Sequence, residues 1–184
     1  REVERTELVD GEDAVRYNQA CDYSENTDYL LAAIALAQDP GVDGKKILEI
    51  GMGPGNLCFE LIKKGAATVI GADPSEEMIE HARKKSNGQI LQGIVDFVPE
   101  SVYDLPSGYD SAFDLVVMQN GFHQLHHPLE ALEGMVWATQ SGGQVHILDF
   151  RRDITPEQLR ERIGYTKQPI WQDLANSICA SLTK

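Results

Sequence analysis

The chain has 184 residues, 42% of them hydrophobic and 24% charged, with a formal net charge of −13. That is the balance of a globular protein large enough for one substantial core. The acidic excess repels a phosphate backbone and disfavours nucleic acid as a partner. The longest apolar run, YLLAAIALA at 29–37, falls short of the ~20 residues that span a bilayer, and no signal-peptide pattern precedes it. Cys21, Cys58 and Cys179 form no C-x-x-C pair, which argues against a disulfide framework or a zinc knuckle and points to a reducing, cytoplasmic setting. Residue 1 is Arg, so the natural start is expected upstream.

In chain order, Thr27 can cap a helix whose apolar face carries Leu30, Leu31 and Ile34, ended by Asp-Pro-Gly at 39–41. KILEI (46–50) reads as a strand, and Asn56 as the cap of a helix over 57–64 stopped by Gly65. ATVIGA (67–72) is a second strand. Ser75 then opens a helix with Glu76 and Glu77 in its first turn and Lys84 and Lys85 in its last. DFVPES (96–101) is a weaker strand, because Pro99 removes a ladder donor. FDLVVMQ (113–119) is followed by Pro128, a first-turn proline for a helix over 128–140 with Leu129, Leu132 and Val136 on one face. QVHILDF (144–150) is the fifth strand, Thr-Pro-Glu-Gln at 155–158 a capping box, and helices are expected over 156–163 and 169–181. Four of the five strands are nearly all apolar, as strands buried on both faces of a parallel sheet are.

Alternating strands and helices predict a Rossmann-like, doubly wound, mainly parallel α/β sheet with helices on both faces. No linker or repeat divides the chain, which reads as one domain over 1–184. Ligands of such sheets bind outside the carboxyl ends of the strands, at the switch point. There the sequence places EIGMGPGN, with Gly51, Gly53 and Gly55 between the first strand and its helix. Glycines at that place allow a tight turn and the close approach of a ligand to bare backbone. The spacing is one residue short of the dinucleotide G-x-G-x-x-G, and no G-K-[ST] follows for a Walker loop. Asp73, at the end of the second strand, can accept hydrogen bonds from both hydroxyls of a ribose. NAD and S-adenosylmethionine both carry such a ribose.

ILEIGMGPGN, GADPSEEMIEHARKK, FDLVVMQNGFHQLHHP and SGGQVHILDF occur in the order seen in class I S-adenosylmethionine-dependent methyltransferases. The chain resembles their small-molecule, ubiquinone/menaquinone-type branch from Tyr17 to Asp149. The resemblance implies that Glu49 and the backbone of Gly51, Met52, Gly53 and Gly55 line the methionine and ribose part of S-adenosylmethionine. Asp73 would hold the ribose, and Pro74 and Met78 would pack near the adenine. FVPESVYDLP (97–106) matches a family segment whose Asp binds the adenine amino group; here Ser101, followed by Val102, stands in its place, a weaker acceptor. Asn120 would lie near the methionine amino group. YNQACDY (17–23) resembles a segment that folds over the cofactor, which makes Tyr17 and Tyr23 lid residues within a lid region of about 1–40.

His123 matches the first histidine of the family's L-H-H segment and is the candidate base beside the methyl group. His126 and His127 are expected to face solvent, Cys58 to be core, and Asp149 either to orient substrate or simply to end its strand. No acid at ligand spacing supports a metal site among the histidines, and none is expected. NGFH after the fourth strand is not the [D/N]-P-P-[Y/F] used on bases and amides, so a small, apolar or aromatic acceptor is the expectation. Methyl transfer to it by in-line displacement is the leading reading. A non-catalytic cofactor-binding module and an NAD-dependent oxidoreductase are the alternatives. The resemblance also implies two further strands after the fifth. Their absence from the remaining sequence predicts a chain that continues past Lys184 or completes its sheet through a partner, such as a second copy in a homo-oligomer.

Overall fold

Among the described residues, five strands form one all-parallel sheet: β1 (Lys46–Ile50), β2 (Thr68–Ala72), β3 (Val95–Val98), β4 (Phe113–Gln119) and β5 (Thr139–Leu148), in the order β3-β2-β1-β4-β5. The structure, a computed structural model, describes residues 9, 11–21, 28–86, 93–149, 155 and 158. The chain winds outward from β1 to β3, returns to the other side of β1 as β4, and then adds β5 beside β4. The switch point therefore lies between β1 and β4, as expected of a doubly wound sheet.

Side chains alternate across the sheet into two cores. Ile47, Val69, Val95, Phe97, Leu115 and Val117 face α2 (Asp28–Gln38), α3 (Asn56–Lys63) and α4 (Glu76–Lys85). Leu48, Ile50, Ala72, Val116 and Met118 face α5 (Pro128–Ala138) on the other side. Phe113 joins the second cluster although Leu115, two residues on, joins the first. An irregular register between those two residues, against β5, accounts for the change of face.

Several expected details are corrected. The sheet-facing stripe of α5 is Ala131, Met135 and Ala138, while Leu129 is 76% exposed and Val136 is also outward. In α2 the buried residues are Ala32, Ala33 and Leu36, and Leu30 and Leu31 are exposed. Both helices are apolar on more than one side, and in each the buried side is the one that carries the alanines. Asn56 is not a cap but the first residue of α3. Gly55, at φ 74°, is the N-cap, and the Asn56 Nδ2 donates to the Cys21 carbonyl at 3.2 Å. β3 stops at Val98, before Pro99, and β5 begins at Thr139 rather than 144. Much of β5 is exposed rather than buried on both faces. Ser75 does cap α4, accepting from the Met78 N–H, and Thr155 and Gln158 exchange both bonds of the expected capping box. Thr27 and the expected helices at 156–163 and 169–181 lie outside the described residues, apart from positions 155 and 158.

Gly134 is set by packing rather than by backbone conformation. A Cβ on Gly134, inside α5, would overlap the carbonyl oxygen of Val102, which closes the loop after β3 against the helix. Gly→Ala inside a helix ordinarily stabilises by ~1 kcal/mol. Here the overlap reverses the sign, and Gly134→Ala is expected to destabilise by about 1–2 kcal/mol, read as a lower urea midpoint at unchanged slope.

Candidate functional site

Four positions singled out by sequence converge because one row of the sheet ends together. Ile50 pairs with Ala72 and with Met118, Ala72 pairs with Val98, and Gln119 pairs with Leu148. Gly51, Asp73, Asn120 and Asp149 therefore leave the sheet side by side along its carboxyl edge.

The glycine turn is built from left-handed backbone. Gly51, Gly53 and Gly55 have φ of 63°, 53° and 74°, a region that costs any residue with a Cβ. Their surroundings differ. A Cβ on Gly55 would press on Phe97 and Ala82 at 3.0 and 3.2 Å, whereas one on Gly51 would meet nothing within 4 Å. Gly55 is thus a core glycine, and Gly51 borders open space. The turn's amides are spent internally. The N–H groups of Gly51 and Met52 both donate to the Ala72 carbonyl (2.8 and 3.2 Å), that of Gly55 to the Met52 carbonyl (3.0 Å), and that of Gly53 to Asp73 Oδ2 (2.9 Å).

Asp73, 9% exposed, receives a second bond at Oδ1 from the Ser75 N–H at 2.9 Å. Burial raises its pKa to about 6, against the lowering effect of those two amides. Glu49 is deeper, 3% exposed beneath the turn, with the Cys58 thiol donating to its Oε2 at 2.9 Å. Burial, with some help from Asp73, raises Glu49 to about 8. Cys58 is core as expected, and burial pushes its thiol up. The Met52 side chain turns into the core beside Cys58, leaving only its backbone at the turn. Met78 is also fully buried, and Pro74 is half-buried.

Over this turn lies α1 (Gly11–Cys21), a helix that sequence periodicity did not show. Its buried residues are Ala14, Asn18 and Cys21, too small and polar to register as an apolar stripe. Tyr17 stands above Gly53, its ring 3.5 Å from where a Cβ would be. Cys21 accepts from the Tyr29 hydroxyl at 2.6 Å, and Cys21 and burial together hold the Tyr17 hydroxyl well above its ordinary pKa. The Lys85 ammonium bonds Asn56 Oδ1, so α1, α3 and α4 meet around Asn56. Tyr23 lies outside the described residues.

On the loop after β3, Ser101 is half-buried and its hydroxyl accepts from the Tyr103 N–H at 3.2 Å, while Val102 is buried in the core against α5. After β4, Asn120 holds φ 54° and donates its N–H to the Leu148 carbonyl at 2.8 Å. A short-chain amide tolerates this conformation better than other residues with a Cβ do. Gln119, just before it, carries a buried Oε1 with no hydrogen-bond partner among the described residues. Sequence reading passed over Gln119; its place as the polar last residue of the apolar run FDLVVMQ was the available signal.

His123 sits in a 3-10 turn, Phe122–Gln124. Its backbone N–H donates to Asp149 Oδ2 at 2.9 Å, and its Nδ1 lies 2.7 Å from Asp149 Oδ1. His126 is exposed, whereas His127 is half-buried against Tyr103, with Nδ1 3.7 Å from Glu130. Among the described residues no three His, Cys, Asp or Glu side chains gather as a metal site, and no helix is long and apolar enough to cross a membrane.

A switch-point glycine turn with an acidic residue at the end of the next strand defines a nucleoside-binding α/β domain. The chain belongs to the methyltransferase domain family, which it matches over residues 47–143. It is 29% identical over 110 residues to the ubiquinone/menaquinone biosynthesis C-methyltransferase of Roseobacter denitrificans, covering 58% of this chain and 43% of that protein. It is 27% identical over 161 residues to the ajmaline N-methyltransferase of Rauvolfia serpentina, covering 82% and 55%. The chain thus spans about half the length of the curated relatives it matches. Among solved structures, a provisionally assigned S-adenosyl-L-methionine-dependent methyltransferase of Methanococcus maripaludis superposes with a TM-score of 0.75 at 21% identity, covering 96% of this chain and 80% of that one. At that identity the likeness shows the fold.

Proposed function

We propose that the chain transfers a methyl group from S-adenosylmethionine to a small-molecule acceptor. The observation that carries the choice of cofactor is the state of the glycine turn. Pro54 has no N–H, and those of Gly51, Met52, Gly53 and Gly55 all donate within the protein. A pyrophosphate takes such donors, and the turn itself has none left to offer NAD. An uncharged nucleoside asks only for bare backbone at Gly51 and acceptors at Asp73. A cationic methionine part also suits an edge that carries Asp73, the buried Glu49 and the orphaned Gln119 Oε1.

S-Adenosylmethionine would supply a methyl on positively charged sulfur, open to in-line attack. The chain's own contribution is to hold and exclude. Asp73 would grip the ribose hydroxyls, Gly51 would admit the ligand to the backbone, and Tyr17 with α1 would cover it from water. Pro74 and Ser101 would border the adenine, with Ser101 offering a hydroxyl that already accepts one bond from Tyr103, while Met78 and Val102 are buried in the core. Asn120 would stand near the methionine amino group. His123, beyond the end of β4, would take the proton of an acceptor hydroxyl, amine or acidic carbon. The relatives named above are a carbon and a nitrogen methyltransferase.

The test is calorimetric titration with S-adenosylmethionine, S-adenosylhomocysteine and NAD in parallel. Binding of the two adenosyl ligands but not NAD is expected, and binding of NAD alone would overturn the reading. With an acceptor found from a panel of quinols, phenols and amines, His123→Ala should keep cofactor binding and lose about 100-fold or more in turnover. Undiminished turnover would remove His123 from the chemistry.

A further inference from the structure

We propose that Asp149 is the positioning residue for His123, holding the imidazole as the Nδ1–H tautomer so that Nε2 is its basic atom. The inference deepens the proposed methyl transfer and rests on it for its function, but its geometry stands alone. Two bonds join the pair: the His123 N–H donates to Oδ2 at 2.9 Å, and Nδ1 lies 2.7 Å from Oδ1. One carboxylate thus grips both the main chain and the ring of a single residue, which fixes where the turn sits and how the ring is rotated. The side chains are only 7% and 12% exposed, so water competes weakly for the contact.

The sheet itself sets up the meeting. Gln119 pairs with Leu148, and the Asn120 N–H donates to the Leu148 carbonyl at 2.8 Å, so the strands end in step and Asp149 emerges beside the turn that carries His123. A carboxylate can only accept, so a neutral ring facing it must place its proton on Nδ1. That leaves the Nε2 lone pair as the site of proton uptake. In the transfer, an acceptor lone pair forms the new bond to the methyl carbon. The carbon–sulfur pair stays on sulfur, and the acceptor's proton passes to Nε2. The resulting imidazolium is then balanced by Asp149, the same logic by which a buried Asp supports His in hydrolytic triads.

The experiment reads the ring directly and needs no acceptor. With the full chain labelled in nitrogen-15 at histidine, long-range proton–nitrogen spectra at a pH where His123 is neutral report which ring nitrogen carries the proton. His123→Gln assigns the signal. Expected is protonated Nδ1 and a lone-pair Nε2. In Asp149→Asn the amide oxygen can still receive the main-chain N–H while its NH2 turns to the ring, so the tautomer should invert with little change in melting temperature. Asp149→Ala should lose the tautomer preference as well as stability. Protonated Nε2 in the wild type, or an unchanged tautomer in Asp149→Asn, overturns the proposal. Should Asp149→Asn fail to fold, loss of the Nδ1–H preference in Asp149→Ser serves as the second reading. Cofactor titration of the same samples is a separate readout: no variant binding S-adenosylmethionine would defeat the proposed function, whatever the tautomer.

Discussion

Asp73→Ala should lower affinity for S-adenosylmethionine by at least about 100-fold, the largest loss expected from any one side chain at the carboxyl edge. The carboxylate ties the glycine turn to α4 by accepting from Gly53 and Ser75, at 2.9 Å each. Each oxygen keeps a second acceptor direction for a ribose hydroxyl. Hydrogen bonds to a charged group contribute ~1.5–3 kcal/mol each, so loss of two exceeds the ~2.7 kcal/mol that equals 100-fold. The turn would also loosen, which weakens binding without any ribose contact. A ligand cycle separates the two causes. Adenosine and 2′,3′-dideoxyadenosine are titrated against wild type and variant by calorimetry. If Asp73 holds the ribose, wild type prefers adenosine and Asp73→Ala does not. If the carboxylate only shapes the turn, both proteins discriminate alike and the ribose assignment fails.

What could be read beforehand followed from how far each signal depends on long-range packing. The strands KILEI, ATVIGA and FDLVVMQ and the Ser75 cap are local in origin, and the structure keeps them, whereas the third strand stops at Val98. Their parallel order follows from alternation with helices. The faces of α2 and α5 were misread because both helices offer two apolar sides, and only contact with the sheet selects Ala32, Ala33 and Leu36, or Ala131, Met135 and Ala138. For the site, Gly51 and Asp73 were legible because backbone conformation and strand ends are written in nearby residues. The division of labour among the glycines was not: Gly55 answers to Phe97 and Gly51 to open space. The link from His123 to Asp149 needed the register of β4 on β5, and Glu49 beside Cys58 needed the packing of α3. Neither leaves a mark at fixed sequence spacing.

Glu49 supports the second large effect, an apo protein that loses stability as pH rises. Its neighbours with titrating groups are Cys58 on α3, whose hydrogen bond lowers its pKa, and Asp73 after β2, whose charge raises it. Buried, it holds its proton up to about 8, whereas the unfolded chain releases it near 4.5. Between those values the folded state binds more protons than the unfolded state, so stability falls with rising pH and the loss is complete above about 8. Asp73, raised from 3.8 to about 6, acts in the same direction over the lower part of the window. The melting temperature of the apo protein should therefore drop by on the order of 10 °C between pH 5 and 8.5, since each kcal/mol moves a domain of this size by ~2–4 °C. Glu49→Gln keeps an acceptor for the Cys58 thiol and removes the charge, so its curve should be nearly flat and lie above wild type at pH 8.5. A wild-type melting temperature that rises over this range would show Glu49 already ionised. A cationic ligand favours the ionised acids, so S-adenosylmethionine should bind more tightly at pH 8 than at pH 6 and release protons on binding. Calorimetry in two buffers of different ionisation enthalpy reads that release. With Glu49→Gln it should shrink to the Asp73 share. Equal proton release in the two proteins would mean that Glu49 does not sense the ligand, leaving Asp73 as the acid that does.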